Sequence, residues 1–305
     1  MPLDNWPEDA PGHIDSSLFP VIEAEMVRQC DVQDGVEDGI VNDAFGCDFD
    51  YEALLCSADG AGDECLTAAQ VETIKKTYSD WVDSETGDFV FSGLAPGTDP
   101  GFMLSEPTRF GYGLFQNMIF NDTEWDWTSL EYEHVQTADA IDPGDAAADG
   151  FAALADYRAR GGKVIMYHGA ADSLIPTGSS VDFFAKARDA QPDLDGFFRF
   201  FLVPGMGHCS GSSSQAPWYV SAGSQDIKGT THSVPGFEDP EHDVILAIMK
   251  WVEEDGAPDQ LIATKFQDDD ASAEVAVQRP LCPYPKLATY LGSGDVDAAE
   301  NWLCE

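Results

Sequence analysis

Basic residues are scarce: 15 Lys and Arg stand against 56 Asp and Glu in 305 residues, a formal net charge of −41. Nucleic acids are held by clustered basic side chains, so this balance excludes them as partners. No run approaches the ~20 consecutive apolar residues of a spanning helix, and no membrane partner is expected. The first residues, Met1-Pro2-Leu3-Asp4-Asn5-Trp6-Pro7, lack a basic stretch followed by an apolar one, so no signal peptide is expected within the chain. There is no P-loop, no G-x-G-x-x-G and no internal repeat, which removes the common nucleotide-binding signatures. G-x-S-x-G, the sharp turn that presents the serine of many hydrolases, is also missing. The seven cysteines show no C-x-x-C spacing, against a zinc or dithiol site.

What is present begins with those cysteines. Six fall into three local pairs, Cys30 with Cys47, Cys56 with Cys65 and Cys282 with Cys304, which read as disulfides made in an oxidising compartment. Cys209 is left over. Asn121-Asp122-Thr123 is a glycosylation sequon compatible with secretion. So acidic a surface repels itself unless salt screens it over ~10 Å, which suits a salty or extracellular setting, or a surface selected for solubility. The 43% hydrophobic content supports a full core, and the length favours two units or one with a large insertion.

Local patterns divide the chain. Val21, Ile22, Met26 and Val27 predict a short amphipathic helix ending near Cys30, and Thr67-Ala68-Ala69-Gln70 predicts a capping box opening a helix with Val71, Ile74 and Tyr78 on one face. Residues 82–147 are rich in Gly, Pro, Asp and large rings, which predicts irregular structure in which most rings fill a core short of aliphatic residues and a few are candidates to line a pocket for an aromatic substrate. After Ala147 helices and strands alternate. A helix over 151–160, a strand over 163–167, a helix over 181–190, a strand over 197–203 and a helix over 244–254 carrying Ile245, Ile248, Met249 and Val252 predict a parallel α/β sheet. The tail from Arg279 is expected to be stapled by Cys282 and Cys304 rather than built of regular structure.

Two constellations carry chemistry. Asp172 follows the strand over 163–167, and His208 follows the next strand in Pro204-Gly205-Met206-Gly207-His208-Cys209. Strand C-termini are where open α/β sheets bind ligands, and Asp then His are the last two members of a triad in the chain order Ser, Asp, His. Histidine moves protons near neutral pH, and a carboxylate on its far nitrogen sets the tautomer. His168, directly before Gly169, is read as turn structure. The second constellation is the acidic loop Cys30 to Ile40, where Asp31, Asp34 and Asp38 with the carbonyls of Val36 and Ile40 offer hard oxygen ligands of the kind Ca²⁺ prefers. It is not an EF-hand, because Asn42 holds the twelfth place.

These residues together resemble the tannase and feruloyl esterase family of secreted α/β-hydrolases. Gly207-His208-Cys209 is similar to the histidine half of the family signature, Tyr167-His168-Gly169 through Asp172 and Ile175-Pro176 to its aspartate segment, and Arg279-Pro280-Leu281-Cys282-Pro283-Tyr284-Pro285 to its C-terminal segment. The resemblance implies a structural Ca²⁺ on Asp31, Asp34, Val36, Asp38 and Ile40, in a lid domain over residues 1–148. It implies the C-terminal part of an α/β-hydrolase domain over 149–305, catalytic roles for Asp172 and His208, and a disulfide between Cys209 and a cysteine beside the nucleophilic serine. The Gly-Cys-Ser-x-Gly-Gly turn that should carry that serine is not found before Cys30, and Ser210, Ser212, Ser213 and Ser214 lie after the histidine on another loop. The expectation is a secreted esterase of phenolic acids whose nucleophile is missing from the chain, so that it is inactive alone. The rival expectation is a non-catalytic, calcium-stabilised module that binds aromatic ligands. Neither oligomeric state nor the particular phenolic ester is legible.

Overall fold

In the computed structural model, which describes residues 5, 8–57, 64–83, 85–105, 109–208, 210–220 and 234–305, apolar residues spaced three and four apart make the first helix, α1 (Phe19–Cys30). It buries Ile22, Met26 and Cys30. The second, α2 (Ala68–Tyr78), starts as its sequence requires: Thr67 Oγ1 accepts the Gln70 amide, and the Gln70 side chain accepts the Thr67 amide. The two helices share a core with Ile14, Leu66 and Leu104. Disulfides Cys30–Cys47 and Cys56–Cys65 close the loops beside it, pairing as expected.

A small antiparallel ribbon follows, β1 (Trp81–Val82) with β2 (Phe89–Phe91), then the helices α3 (Gly101–Leu104), α4 (Arg109–Leu114) and α5 (Tyr132–Ile141), with a π-helical turn over Phe115–Ile119. The aromatic region is therefore more helical than its composition predicts, and its rings do not fill a core. Phe115, Phe120 and Trp125 lie 5.2–6.0 Å apart and pack on each other and on His134. No described residue from 105 to 168 is buried, and Phe110 is 88% exposed. Large rings can satisfy one another in a local cluster without a layer to cover them.

After the short helix α6 (Leu154–Ala159), β3 (Val164–Gly169) and β4 (Phe198–Val203) pair in parallel, Val164 opposite Phe198 and Gly169 opposite Val203, with α7 (Gly178–Ala190) as the crossover. β4 is buried on both faces, as a central parallel strand should be. Phe198 and Phe200 pack with Phe184 and Ala187 of α7, while Phe201 and Val203 join the cluster that includes Val244 and Ala247 of α8 (Val244–Glu254). The α8 face differs from the expected one: Val244, Ala247 and Trp251 are buried, and Ile245, Met249 and Val252 are exposed. The helix is apolar nearly all round, so periodicity could not choose its inward face. The Trp251 ring takes the interior.

The tail is more regular than predicted. Antiparallel pairs β5 (Leu261–Phe266) with β6 (Val275–Leu281) and β7 (Ala288–Tyr290) with β8 (Trp302–Cys304) accompany the Cys282–Cys304 disulfide. A bridge from Phe201 to Pro283 and a 2.7 Å bond from the Tyr284 amide to the Phe200 carbonyl lay the tail along β4. A covered strand edge cannot recruit a stray strand. The large N-terminal core draws on residues 14–104 and the large C-terminal cores on 151–284, while a smaller cluster packs Val36 against Cys282, Ala288 and Trp302 across the two parts. Arg279 to Asp38, at 2.7 Å, and Asn42 Nδ2 to the Ala288 carbonyl, at 2.9 Å, join the two parts.

Candidate active site

The parallel pairing puts the ends of β3 and β4 side by side, and the loops that leave them are stitched together. The Ala170 amide donates to Val203 at 2.8 Å and the Ala171 amide to Met206 at 3.0 Å. Gly169 is what permits this approach. A Cβ there would lie 2.2 Å from the Met206 carbonyl oxygen and 2.4 Å from that of Gly207. Gly205, at φ +68, makes the turn that follows β4.

The stitched loops bring the two predicted residues together. His208 Nδ1 donates to Asp172 Oδ2 at 2.8 Å. Asp172 is 2% exposed, and all its acceptor positions are occupied: Oδ1 takes the Leu174 and Ile175 amides, each at 2.9 Å, and Oδ2 also takes His168 Nε2 at 3.0 Å. Burial alone would raise its pKa. Hydrogen bonds from His168, the Ile175 amide, His208 and the Leu174 amide outweigh that and hold the carboxyl at about 2. The group is therefore an anion across the neutral range. The His208 side chain is 45% exposed, and its Nε2 has no hydrogen-bond partner among the described residues.

His168 is not the turn residue that its position suggested. Its side chain is 12% exposed and bridges Asp172 to Ser180, whose Oγ lies 2.7 Å from Nδ1. The hint in the sequence was spacing: a strand-end histidine four residues before an aspartate can fold back on it. The serines after His208 do not meet it. Ser212 and Ser214 bond each other at 3.1 Å, and Ser213 donates to Glu23 of α1. Cys209 lies outside the described residues. A cavity of about 460 Å³ opens beside the two loops, lined by Glu23, Arg28, Ala171, Gly205, Ser213 and Ser214 among others, so α1 forms one wall and the loops another.

At the acidic loop, α1 runs into a turn over Asp31–Asp34 that Gly35 closes at φ +84. Asp31 accepts the amides of Asp38, Gly39 and Ile40 at 3.0–3.3 Å. Asp34 accepts the Val36 amide and Asp38 the Ile40 amide, while the second Asp38 oxygen meets Arg279 Nη2 at 2.7 Å. Burial pushes the Asp34 and Asp38 carboxyls up; Asp38 and Asp31 add to the rise at Asp34, and Asp31 adds to it at Asp38 while Arg279 opposes it. The sequence pointed to no link between Arg279 and the acidic loop, because its partner lies 241 residues away. The donor chemistry, three carboxylates of which two are penalised for their charge, fits a hard cation. Among the described residues, however, no three such side chains close into a metal-binding cluster.

A model of the family described as tannase and feruloyl esterase matches residues 4–305. An uncharacterized esterase of Xanthomonas campestris pv. campestris is 30% identical over 98% of this chain and 57% of its own length. A probable feruloyl esterase B-1 of Neosartorya fischeri is 30% identical over 98% of this chain and 56% of its own. The crystal structure of feruloyl esterase B from Aspergillus oryzae superposes with a TM-score of 0.89 at 29% identity, covering 100% of this chain and 59% of that one. The fold is thus of the α/β-hydrolase type. The chain spans little more than half the length of these relatives.

Proposed function

This chain belongs to the tannase and feruloyl esterase family, and from that premise we propose that it carries the proton-transfer pair of a carboxylic ester hydrolase acting on esters of phenolic acids, hydroxycinnamic or gallic. The observation that supports the reading best is the 2.8 Å bond from His208 Nδ1 to a saturated, ionised Asp172 at the C-terminal ends of two parallel strands. With Nδ1–H spent on the carboxylate, the lone pair of Nε2 is free to act as a base. It takes the proton of a serine hydroxyl as the oxygen attacks the ester carbonyl, then returns it to the departing alkoxide, leaving an acyl-enzyme. A water activated in the same way releases the acid. Asp172 stabilises the imidazolium of each step and itself stays ionised.

The nucleophilic serine is proposed to lie outside these 305 residues, since G-x-S-x-G is absent and no described serine bonds His208. Loss of a triad nucleophile costs roughly six orders of magnitude in the best-measured case. The purified chain is accordingly expected to show no hydrolysis of methyl ferulate or methyl gallate that phenylmethylsulfonyl fluoride abolishes. Turnover sensitive to that reagent would place the nucleophile inside the chain and overturn the assignment.

Calcium is proposed as a structural ion held by Asp31, Asp34 and Asp38 with the Val36 and Ile40 carbonyls, where it would relieve the repulsion among the carboxylates. A division into a lid over 1–148 and a hydrolase part over 149–305 is likewise proposed, and the exposure of residues 144–150 supports a boundary there. Secretion is supported by the three disulfides and the exposed Asn121 of the sequon.

A further inference from the structure

Resting on the esterase reading, we propose that His168 is a positioning residue for the Asp172–His208 pair, holding the shared carboxylate oxygen in place while Ser180 anchors its far ring nitrogen. The hydrogen-bond directions leave little freedom. His168 Nε2 faces two groups that only accept, Asp172 Oδ2 at 3.0 Å and the Ile175 carbonyl at 3.2 Å, so Nε2 carries the proton. Nδ1 of the neutral ring is then bare, and the Ser180 hydroxyl at 2.7 Å rotates to donate to it. His208 is held the other way round, with its proton on Nδ1 and its lone pair on Nε2. One carboxylate oxygen thus sits between two imidazoles of opposite tautomer.

The consequence is mechanical as well as electronic. Two backbone amides pin Oδ1, but among the described residues Oδ2 is held only by the two rings. Of these, His208 is the exposed member, its side chain 45% exposed. His168 is mostly buried and anchored to α7 through Ser180, so it is the fixed one. Without it, the carboxylate can swing out of the His208 ring plane, and the tautomer of His208 is no longer imposed. His168 does not reach the substrate; it acts through Asp172. Formally Ser180, His168 and Asp172 also make a serine–histidine–aspartate chain, but its histidine side chain is 12% exposed, against 45% for His208.

The test is ring-nitrogen NMR of the full chain labelled with ¹⁵N-histidine, near neutral pH, on the parent and on His168→Ala, His168→Gln and Ser180→Ala, each checked by thermal melting. The parent should show His168 as the Nε2–H tautomer and His208 as the Nδ1–H tautomer. In His168→Ala the single tautomer of His208 should give way to a mixture, with loss of its Nδ1 proton signal. His168→Gln, which returns an N–H donor to Oδ2, should restore it. Ser180→Ala should leave His168 in the Nε2–H tautomer, because Asp172 and the Ile175 carbonyl still accept that proton. A folded His168→Ala with an unchanged His208 signal would overturn the proposal, as would His168 protonated at Nδ1 in the parent. Labelling of Ser180 by phenylmethylsulfonyl fluoride would overturn it too, by making that hydroxyl a nucleophile. A parent His208 not bonded to Asp172 would instead sink the esterase reading, a separate result.

Discussion

Replacing Asp172 by Asn removes one charge and keeps the shape, and the structure says how much that should cost. The carboxyl is held at about 2 against an ordinary value of 3.8, a depression of roughly 1.8 units. Each unit corresponds to about 1.4 kcal/mol between the two protonation states. A depressed folded pKa adds stability that is fully present above the unfolded value and is lost as pH falls through the folded one. The ionised form therefore contributes about 2 kcal/mol at pH 5, roughly half of which should be gone by pH 3 and most by pH 2. Asn adds a cost that does not depend on pH: its single oxygen can serve either the two amides or the two imidazoles, and buried donors left unpaired cost about 1–3 kcal/mol each. Urea unfolding of parent and Asp172→Asn across pH 5 to pH 2 separates the parts. The stability gap should shrink by about 2 kcal/mol on acidification. A gap that stays constant would refute the reasoning, because the carboxylate would then not be held by the bonds described.

Gly169→Ala forces a methyl against the Met206 and Gly207 carbonyl oxygens, so it should part the two loops and cost about 1–3 kcal/mol. A unique, chemically resolved His208–Asp172 hydrogen bond in that variant's NMR spectrum would contradict the expected separation. Arg279→Ala strands the Asp38 carboxylate, 16% exposed, and strips the Trp302 ring of a guanidinium 4.3 Å from its centre, for an expected loss of about 3 kcal/mol in denaturant unfolding. Adding Ca²⁺ should raise the melting temperature and a chelator should lower it, with Asp31→Asn abolishing the difference; identical melting under both conditions would remove the metal.

Legibility in the sequence followed the range of the interactions. The Thr67–Gln70 capping box, the strands over 163–167 and 197–203 and the three cysteine pairs are local patterns, and they reappear in the structure close to where they were placed. The meeting of Asp172 and His208 was readable because a parallel pair brings the ends of its two strands together. What stayed hidden depends on partners that no local pattern names. The inward face of α8 is set by where Trp251 fits, and the role of Arg279 by an aspartate at the far end of the chain. His168 looked like turn structure because the bond it makes to Asp172 needs the fold of the loop between them. The rings of residues 110–134 looked like core from composition, which does not reveal that they pack on one another in a half-exposed cluster.

If His208 is the base, its loss must remove turnover wherever the proposed nucleophilic serine is supplied. The measurement is methyl ferulate hydrolysis by this chain joined to the segment of the Aspergillus oryzae enzyme that it does not cover, compared with the same protein carrying His208→Ala. A fall of roughly 10⁴-fold or more in kcat is expected from removal of a triad histidine. Equal turnover by the two proteins would show that the imidazole at 208 moves no proton in the reaction.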